Sequence, residues 1–237
     1  ILRAAHADHG FPATSVPFSM VFGPHNIIPD REQRMFRRIV DGRPVLVPGD
    51  GQTLLQLGHV DDQARALEQM MGKEITFGRR YNLTGREFVT RNQYVSTIAE
   101  VIGRPADVRF VPPALMEELW TGETLVEMGR AARVGLQTRS SAVDRRTDDP
   151  TAARARARTV QRFQLAQLVQ HLAPNIHHWN RNTVFSIDRL RRDVGWEPAH
   201  TFATMAEDTY RWWHDAGLAA DDVDWTFEDA IVELAAD

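Results

Sequence analysis

The residues best suited to chemistry in this chain gather at three places. The first is Ser19-Met20-Val21-Phe22-Gly23-Pro24-His25-Asn26, an apolar run that stops at Gly-Pro and is followed at once by an imidazole and an amide. As a strand of an open parallel sheet, this run would set Ser19, Met20, Gly23, His25 and Asn26 at its carboxyl end, where ligands collect. A polar loop without a ligand is the other account of His25 and Asn26. The second place is Arg31 and Arg34 in DREQRMFRRIV. Either could grip a substrate anion through the planar guanidinium fork, or the arginines form a solvated basic face. The third is APNIHHWN, where His177, His178 and Trp179 could contact a substrate. Adjacent histidines on a strand face opposite ways, which makes them poor joint ligands for one ion. No nearby His, Asp or Glu completes a set, so no metal is expected.

Absent residue types narrow the chemistry further. With no cysteine there is no disulfide, thiolate metal site or thiol nucleophile, as suits a cytosolic protein. The chain has a single lysine, Lys73, against 27 arginines, so tunable amine chemistry has one candidate. Gln69 stands four residues before it, so no Tyr-x-x-x-Lys pair exists. No Gly-rich phosphate loop exists either. A net charge of -4 gives no global pull toward nucleic acid or anionic membrane, and no apolar run is long enough to span a bilayer. Locally the sign reverses, because Arg130 to Arg162 holds nine arginines and three aspartates. Arg154, Arg158 and Arg162 share a helical face. That face could hold phosphates or be a solvated cover over an active site, since few aromatics interleave it.

Mixed α/β architecture would have to position these groups. Residues 1–9 read as a helix stopped by Gly10, without a capping residue ahead of it. Thr14–Phe22 reads as a strand buried on both faces, and Asp30–Val40 as a helix with Met35, Phe36 and Ile39 inward. Arg43–Val47 reads as a strand, followed by a Pro-Gly-Asp-Gly turn and an extended piece to Val60. Asp61 and Asp62 should open the next helix as N-cap residues. Tyr81–Thr84 reads as a strand and Val108–Val111 as another. Thr90 caps a helix over Arg91–Ile102 that stops at Gly103. Helices are expected around 114–132 and 151–172, at Ile187–Val194 behind Ser186, at Met205–Ala216, and in the acidic tail.

Four stretches in order carry a family resemblance. PVLVPGDG followed by HVDDQARAL, SVPFSMVFGPHN, RRYNLTG and FSIDRLRRDVGWEP resemble the C-terminal half of the extended short-chain dehydrogenase/reductases, the NAD-dependent epimerase/dehydratase family. QLGHVDD, YNLTG and FVT are closer to a subgroup resembling the chloroplast stem-loop-binding proteins and their bacterial relatives. The resemblance implies the later part of a doubly wound, Rossmann-like sheet with a smaller, helix-rich substrate lobe. Residues 1–103 would hold the later strands and helices, with residues of about 27–50 in the lobe, 104–185 the helical lobe, and 186–237 the C-terminal helices. It implies NAD or NADP as cofactor, with Pro17, Ser19 and Met20 beside it. It also implies a sugar-like or otherwise hydroxylated substrate reached by His25, Asn26, Arg31, His177, His178 and Trp179. Leu55 stands where many nucleotide-sugar members place an arginine on the diphosphate. By the same resemblance, the Tyr/Lys pair and the dinucleotide loop precede Ile1. The chain then reads as the back part of a longer enzyme, partnered by its own N-terminal half, dimeric, cytoplasmic, and without a catalytic residue of its own. An RNA-binding protein using Arg130–Arg162 on the same scaffold is the alternative reading.

Overall fold

The computed structural model describes residues 1–26, 32–121, 180–220, 223 and 225–236. Helix α1 (Leu2–His9) ends where Gly10 turns left-handed at φ 66° and its N–H reaches back to His6 O, and none of its residues is buried. Then come β1 (Met20–Phe22), α2 (Glu32–Val40), β2 (Val45–Pro48), β3 (Leu54–Leu55), β4 (Leu57–His59) and α3 (Val60–Met70). A 3-10 turn at Glu74–Thr76 leads to β5 (Val89–Thr90), α4 (Arg91–Ile102), β6 (Val108–Val111) and α5 (Pro113–Thr121). After the stretch outside the described residues come α6 (Asp188–Val194), α7 (Phe202–Asp215), a 3-10 turn at Leu218–Ala220, and α8 (Thr226–Ala236).

These elements form two compact units. The first takes the described residues of Ile1–Arg43, Gln52–Ala106 and Arg181–Asp221. In it β1 pairs in parallel with β4, in the register Met20↔Leu57 to Phe22↔His59, and β3 pairs antiparallel with β5. Ahead of β1, the extended run bridges in parallel to a second one, Ser15 to Arg80 and Phe18 to Leu83. The sequence predicts one strand over Thr14–Phe22. Only its last three residues pair continuously, because the partner changes between Ser19 and Met20 from the 79–83 run to β4.

Aromatic and aliphatic clusters hold this unit. Phe22 meets the edges of Tyr94 and Phe202, tying β1 to α4 and α7. Ala66, Met70, Tyr81, Leu83, Leu190, Val194 and Trp196 join α3, the 79–83 run and α6, and Val16 packs on them. Burying such side chains contributes roughly 1.5–3 kcal/mol each.

The second unit contains β2 with β6, parallel from Val45↔Val108 to Pro48↔Val111, with α8 against β6. The strands on either side of the Pro-Gly-Asp-Gly turn therefore belong to different sheets, which the local pattern did not reveal. Gly49 and Gly51 take φ 62° and 71° there, the left-handed region that side chains disfavour.

Helix ends agree with local capping chemistry, with two exceptions. Thr90 and Gln93 form a capping box on α4, and Gly103 closes it at φ 74°. Thr201 and Thr204 do the same for α7, so that helix begins three residues before Met205. At α3, Asp61 and Asp62 are not the cap. His59 is, its ring accepting the Asp61 N–H, while both aspartates lie in the first turn and favour the helix dipole. At α6 the cap position is Ile187, and Ser186 Oγ accepts the Asp188 N–H from one residue further out.

Candidate functional site

Because β1 and β4 are parallel and in register, their carboxyl ends emerge side by side at Phe22 and His59. Gly23 follows β1 so closely that an added Cβ would lie 2.6 Å from Val60 Cγ1. His25 then takes a left-handed φ of 60°, uncommon for a residue with a side chain. Its exposed ring leans on Trp212 of α7, with centroids 4.9 Å apart. Asn26 folds inward, and its amide donates to both oxygens of the buried Glu32 carboxylate at 3.0 Å. It is thus a brace between the loop and the start of α2.

Of the other residues singled out, Ser19 donates through Oγ to Thr84 Oγ1 at 2.5 Å, and Met20 lies half-buried opposite Leu57. The Pro17 carbonyl accepts from Leu83 N at 3.0 Å. Only His25 and Asn26 therefore follow the carboxyl end of β1; Met20 opens that strand and Ser19 and Pro17 lie ahead of it, because pairing with β4 starts only at Met20. Leu55 is elsewhere, 2% exposed and paired with Val89 across the β3–β5 ribbon. Its neighbour Gln56 is a buried strut, donating to Gly85 O at 2.9 Å and accepting from Phe185 N at 2.7 Å. Arg31, His177, His178, Trp179 and the Arg130–Arg162 segment lie outside the described residues.

A denser polar cluster at the end of β4 did not stand out in sequence. His59 is fully buried, accepts the Asp61 N–H through Nδ1 at 3.3 Å, and places Nε2 3.2 Å from the Asp208 carboxylate. Burial first, then the facing His200, hold its pKa below the usual imidazole value, against the pull of Asp61 and Asp208. Asp62, also buried, accepts from the backbone N and Nδ1 of His200 at 2.9 and 3.0 Å through Oδ2, and its Oδ1 forms an ion pair with Arg65 at 2.9 Å. Burial alone would raise its pKa, but the bonds from His200 and Ala199 outweigh that and hold it below the usual carboxylate value. Buried Arg91, in the first turn of α4, is lowered by desolvation to about 10 and stays a cation near neutrality. The only sequence signal for the His59–Asp62 cluster was the spelling His-Val-Asp-Asp, which reads equally well as a helix start. Among the described residues no group of His, Asp or Glu has the geometry to hold a metal, and no helix is long and apolar enough to cross a membrane.

Comparison with known proteins fits this geometry. Residues 1–84 match the NAD dependent epimerase/dehydratase family. Over 92 residues the chain is 35% identical to the chloroplast stem-loop binding protein of 41 kDa b of Arabidopsis thaliana, which covers 39% of this chain and 24% of that protein. Over 215 residues it is 24% identical to the dTDP-glucose 4,6-dehydratase of Neisseria meningitidis, covering 91% of this chain and 46% of the relative. Among solved structures, the UDP-glucose 4-epimerase of Thermotoga maritima with UDP-glucose superposes at a TM-score of 0.57 and 16% identity, covering 91% of this chain and 50% of that one. The dTDP-glucose 4,6-dehydratase of Bacillus anthracis in complex with NAD gives 0.56 and 16%, covering 90% and 48%. The fold is that of these Rossmann-like α/β proteins, and the resemblance read from the motifs is borne out. The chain spans less than half the length of these curated relatives, 24% and 46%.

Proposed function

From the match of residues 1–84 to the NAD dependent epimerase/dehydratase family, we propose that this chain serves as the C-terminal part of an NAD(P)-dependent oxidoreductase or isomerase of that type, acting on a sugar-like or otherwise hydroxylated small molecule. The observation that carries the reading lies within the matched segment. It is the pair of parallel strands ending together at Phe22 and His59, the geometry in which open α/β sheets hold their ligands. The second unit, with residues 122–180, is read as the substrate lobe, and the working enzyme as a cytoplasmic homodimer.

The residues present fit a dinucleotide only in part. The sequence spells no Gly-rich phosphate loop, so on this reading an N-terminal half would hold the diphosphate. A nicotinamide bound beside β1 supplies hydride removal from, and return to, a carbinol carbon. Pro17, Ser19 and Met20 would line that strand edge, and exposed His25 would face the substrate. Asn26, held on Glu32, would fix the loop that presents His25. The relatives named above for dTDP-glucose and UDP-glucose suggest a nucleotide sugar. Against an ordinary diphosphate grip, Leu55 offers an aliphatic side chain that is 2% exposed. The substrate class on this reading is therefore hydroxylated small molecules at large, not nucleotide sugars alone.

An open sheet edge supports the incomplete-enzyme reading. Ser15, Pro17 and Ser19 bond to the 79–83 run, so the backbone groups of Val16 and Phe18 point the other way. Among the described residues nothing bonds to them. An N-terminal half bringing earlier strands would cover that edge.

Thermal melts with NAD and NADP test the proposal. Residues 1–237 expressed alone should neither shift nor turn over substrate. The longer protein should gain about 2.7 kcal/mol at a hundred times its dissociation constant for the correct nucleotide. Turnover by residues 1–237 alone, or no shift of the longer protein with either nucleotide, overturns it. Affinity for RNA that collapses with salt and on replacing Arg154, Arg158 and Arg162 would favour the stem-loop-binding alternative instead.

A further inference from the structure

His59 and His200 meet face to face, their ring centroids 3.9 Å apart and their planes 23° from parallel. The pair joins three pieces of chain: the end of β4, the first turn of α3 and the approach to α7. The Asp61 N–H points at His59 Nδ1 from 3.3 Å, so the ring's proton belongs on Nε2, which faces Asp208 Oδ2 of α7 at 3.2 Å. From the other side Asp62 of α3 holds His200 by both its backbone N and its Nδ1. The charged groups around the pair are Asp61, 4.0 Å from Nδ1, Asp208 at Nε2, Asp62 behind His200, and Arg65 on Asp62. Glu87 accepts the Phe202 N–H at the first turn of α7.

Every one of these bonds suits a neutral His59. A second proton, on Nδ1, would run into the Asp61 N–H, undo the cap of α3 and set a cationic ring against His200.

We propose that the His59–His200 pair is a proton-operated latch, closed on α7 while His59 is neutral and opened when His59 takes up a proton. The direction follows from linkage. Burial and the facing ring keep His59 below its ordinary value while the latch is closed, and an opened, hydrated ring returns to that value. Opening therefore takes up a proton, and acid favours it. Between the two values the closed-to-open ratio falls by up to about tenfold per pH unit for one proton. Because α7 also carries Trp212, against which His25 leans, opening would loosen the loop after β1 as well. The latch stands on geometry within the first unit and does not depend on the enzymatic reading.

Amide hydrogen exchange from pH 8 to pH 5, corrected for intrinsic rates, tests it alongside long-range proton–nitrogen spectra of the histidines. His59 should remain the neutral Nε2–H tautomer below about pH 6.5, the ordinary imidazole value. Protection of α7 should fall by up to about tenfold per unit over that range, while β6 stays level. His59→Gln, which keeps an uncharged donor and acceptor, should abolish the step. His200→Phe, which keeps a stacked ring but no ring nitrogen, should shrink it. A flat α7 profile, a fall no steeper than that of β6, or a step undiminished in His200→Phe overturns the latch. The last outcome decides even where His59→Gln does not fold.

Discussion

At the scale of single residues, the polar groups that matter most here are those that water cannot reach. Asp62 shows why. A carboxylate that is 1% exposed would ordinarily be a liability, but one of its oxygens accepts from the His200 backbone and ring, and the other pairs its charge with the Arg65 guanidinium. Hydrogen bonds to a charged group contribute about 1.5–3 kcal/mol, so Asp62→Asn should lower stability near neutral pH by about 2 kcal/mol. The pH dependence has a definite sign. Since the folded protein holds the Asp62 carboxyl below its ordinary value, its contribution is complete above the unfolded carboxyl value of about 3.9 and is lost as pH falls through the folded one. Urea midpoints of the two proteins should therefore differ by a constant amount from pH 7 to about pH 4.5 and draw together below that. A gap that widens on acidification would mean that Asp62 is not the charged partner in the folded state. His25 works on the opposite principle. It is held exposed in an unfavourable backbone region by the Asn26–Glu32 brace, with its ring supported by Trp212.

At the scale of elements, the junction of β1, β4 and the 79–85 segment depends on the absence of side chains. Gly85 donates its N–H to Leu57 O at 2.8 Å, and a Cβ on it would fall 2.2 Å from that same oxygen. The obstacle is backbone and cannot swing aside, so Gly85→Ala should cost about 3 kcal/mol or more and part β4 from the segment after Leu83. Gly103→Ala is the proper control. Unlike Gly85 it sits at positive φ, 74°, and it meets nothing within 4 Å, so only the left-handed backbone is penalised, by about 1–2 kcal/mol. Thr90→Ala, which removes the side-chain half of the α4 capping box, should cost about 1 kcal/mol. Chemical denaturation of the three variants should rank them Gly85, then Gly103, then Thr90, and equal losses for the two glycine variants would mean that the β4 junction is loose. The same comparison marks what was legible in the sequence. Thr90, Gly103, Gly10 and Gly195 could be read because a cap is a contact between residues a few positions apart. His59 was overlooked as a cap because an imidazole accepts an N–H only in one tautomer, which Asp208, far along the chain, helps to set. The placing of Leu55 against Val89, and of β2 in a different sheet from β3, rests on pairings between distant segments that no local period records.

At the scale of the whole molecule, the first unit is finished on one side of its parallel strands and unfinished on the other. The run from Thr14 to Met20 is composed like a strand buried on both faces, yet Phe18 is 44% exposed, Phe11 51%, and α1 buries no side chain at all. Its alternate backbone groups, at Val16 and Phe18, have no partner among the described residues. An uncovered edge carrying aromatic side chains is a template for pairing with another strand. Residues 1–237 expressed alone should therefore associate through this edge, with a sedimentation or light-scattering mass that rises with concentration. Phe18→Lys places a charge on the edge without disturbing a buried contact, so it should restore the monomer mass and leave the urea midpoint within about 0.5 kcal/mol of its original position. In a longer protein whose preceding residues cover the edge, as proposed above, the substitution should act in the reverse sense. A lysine would then be buried at the seam between strands, and the longer protein should lose stability by several times that amount, of order 3 kcal/mol. The two measurements together distinguish a strand that faces water by design from one that waits for neighbours. Neutral behaviour of Phe18→Lys in both proteins would show that nothing ever lies against this edge.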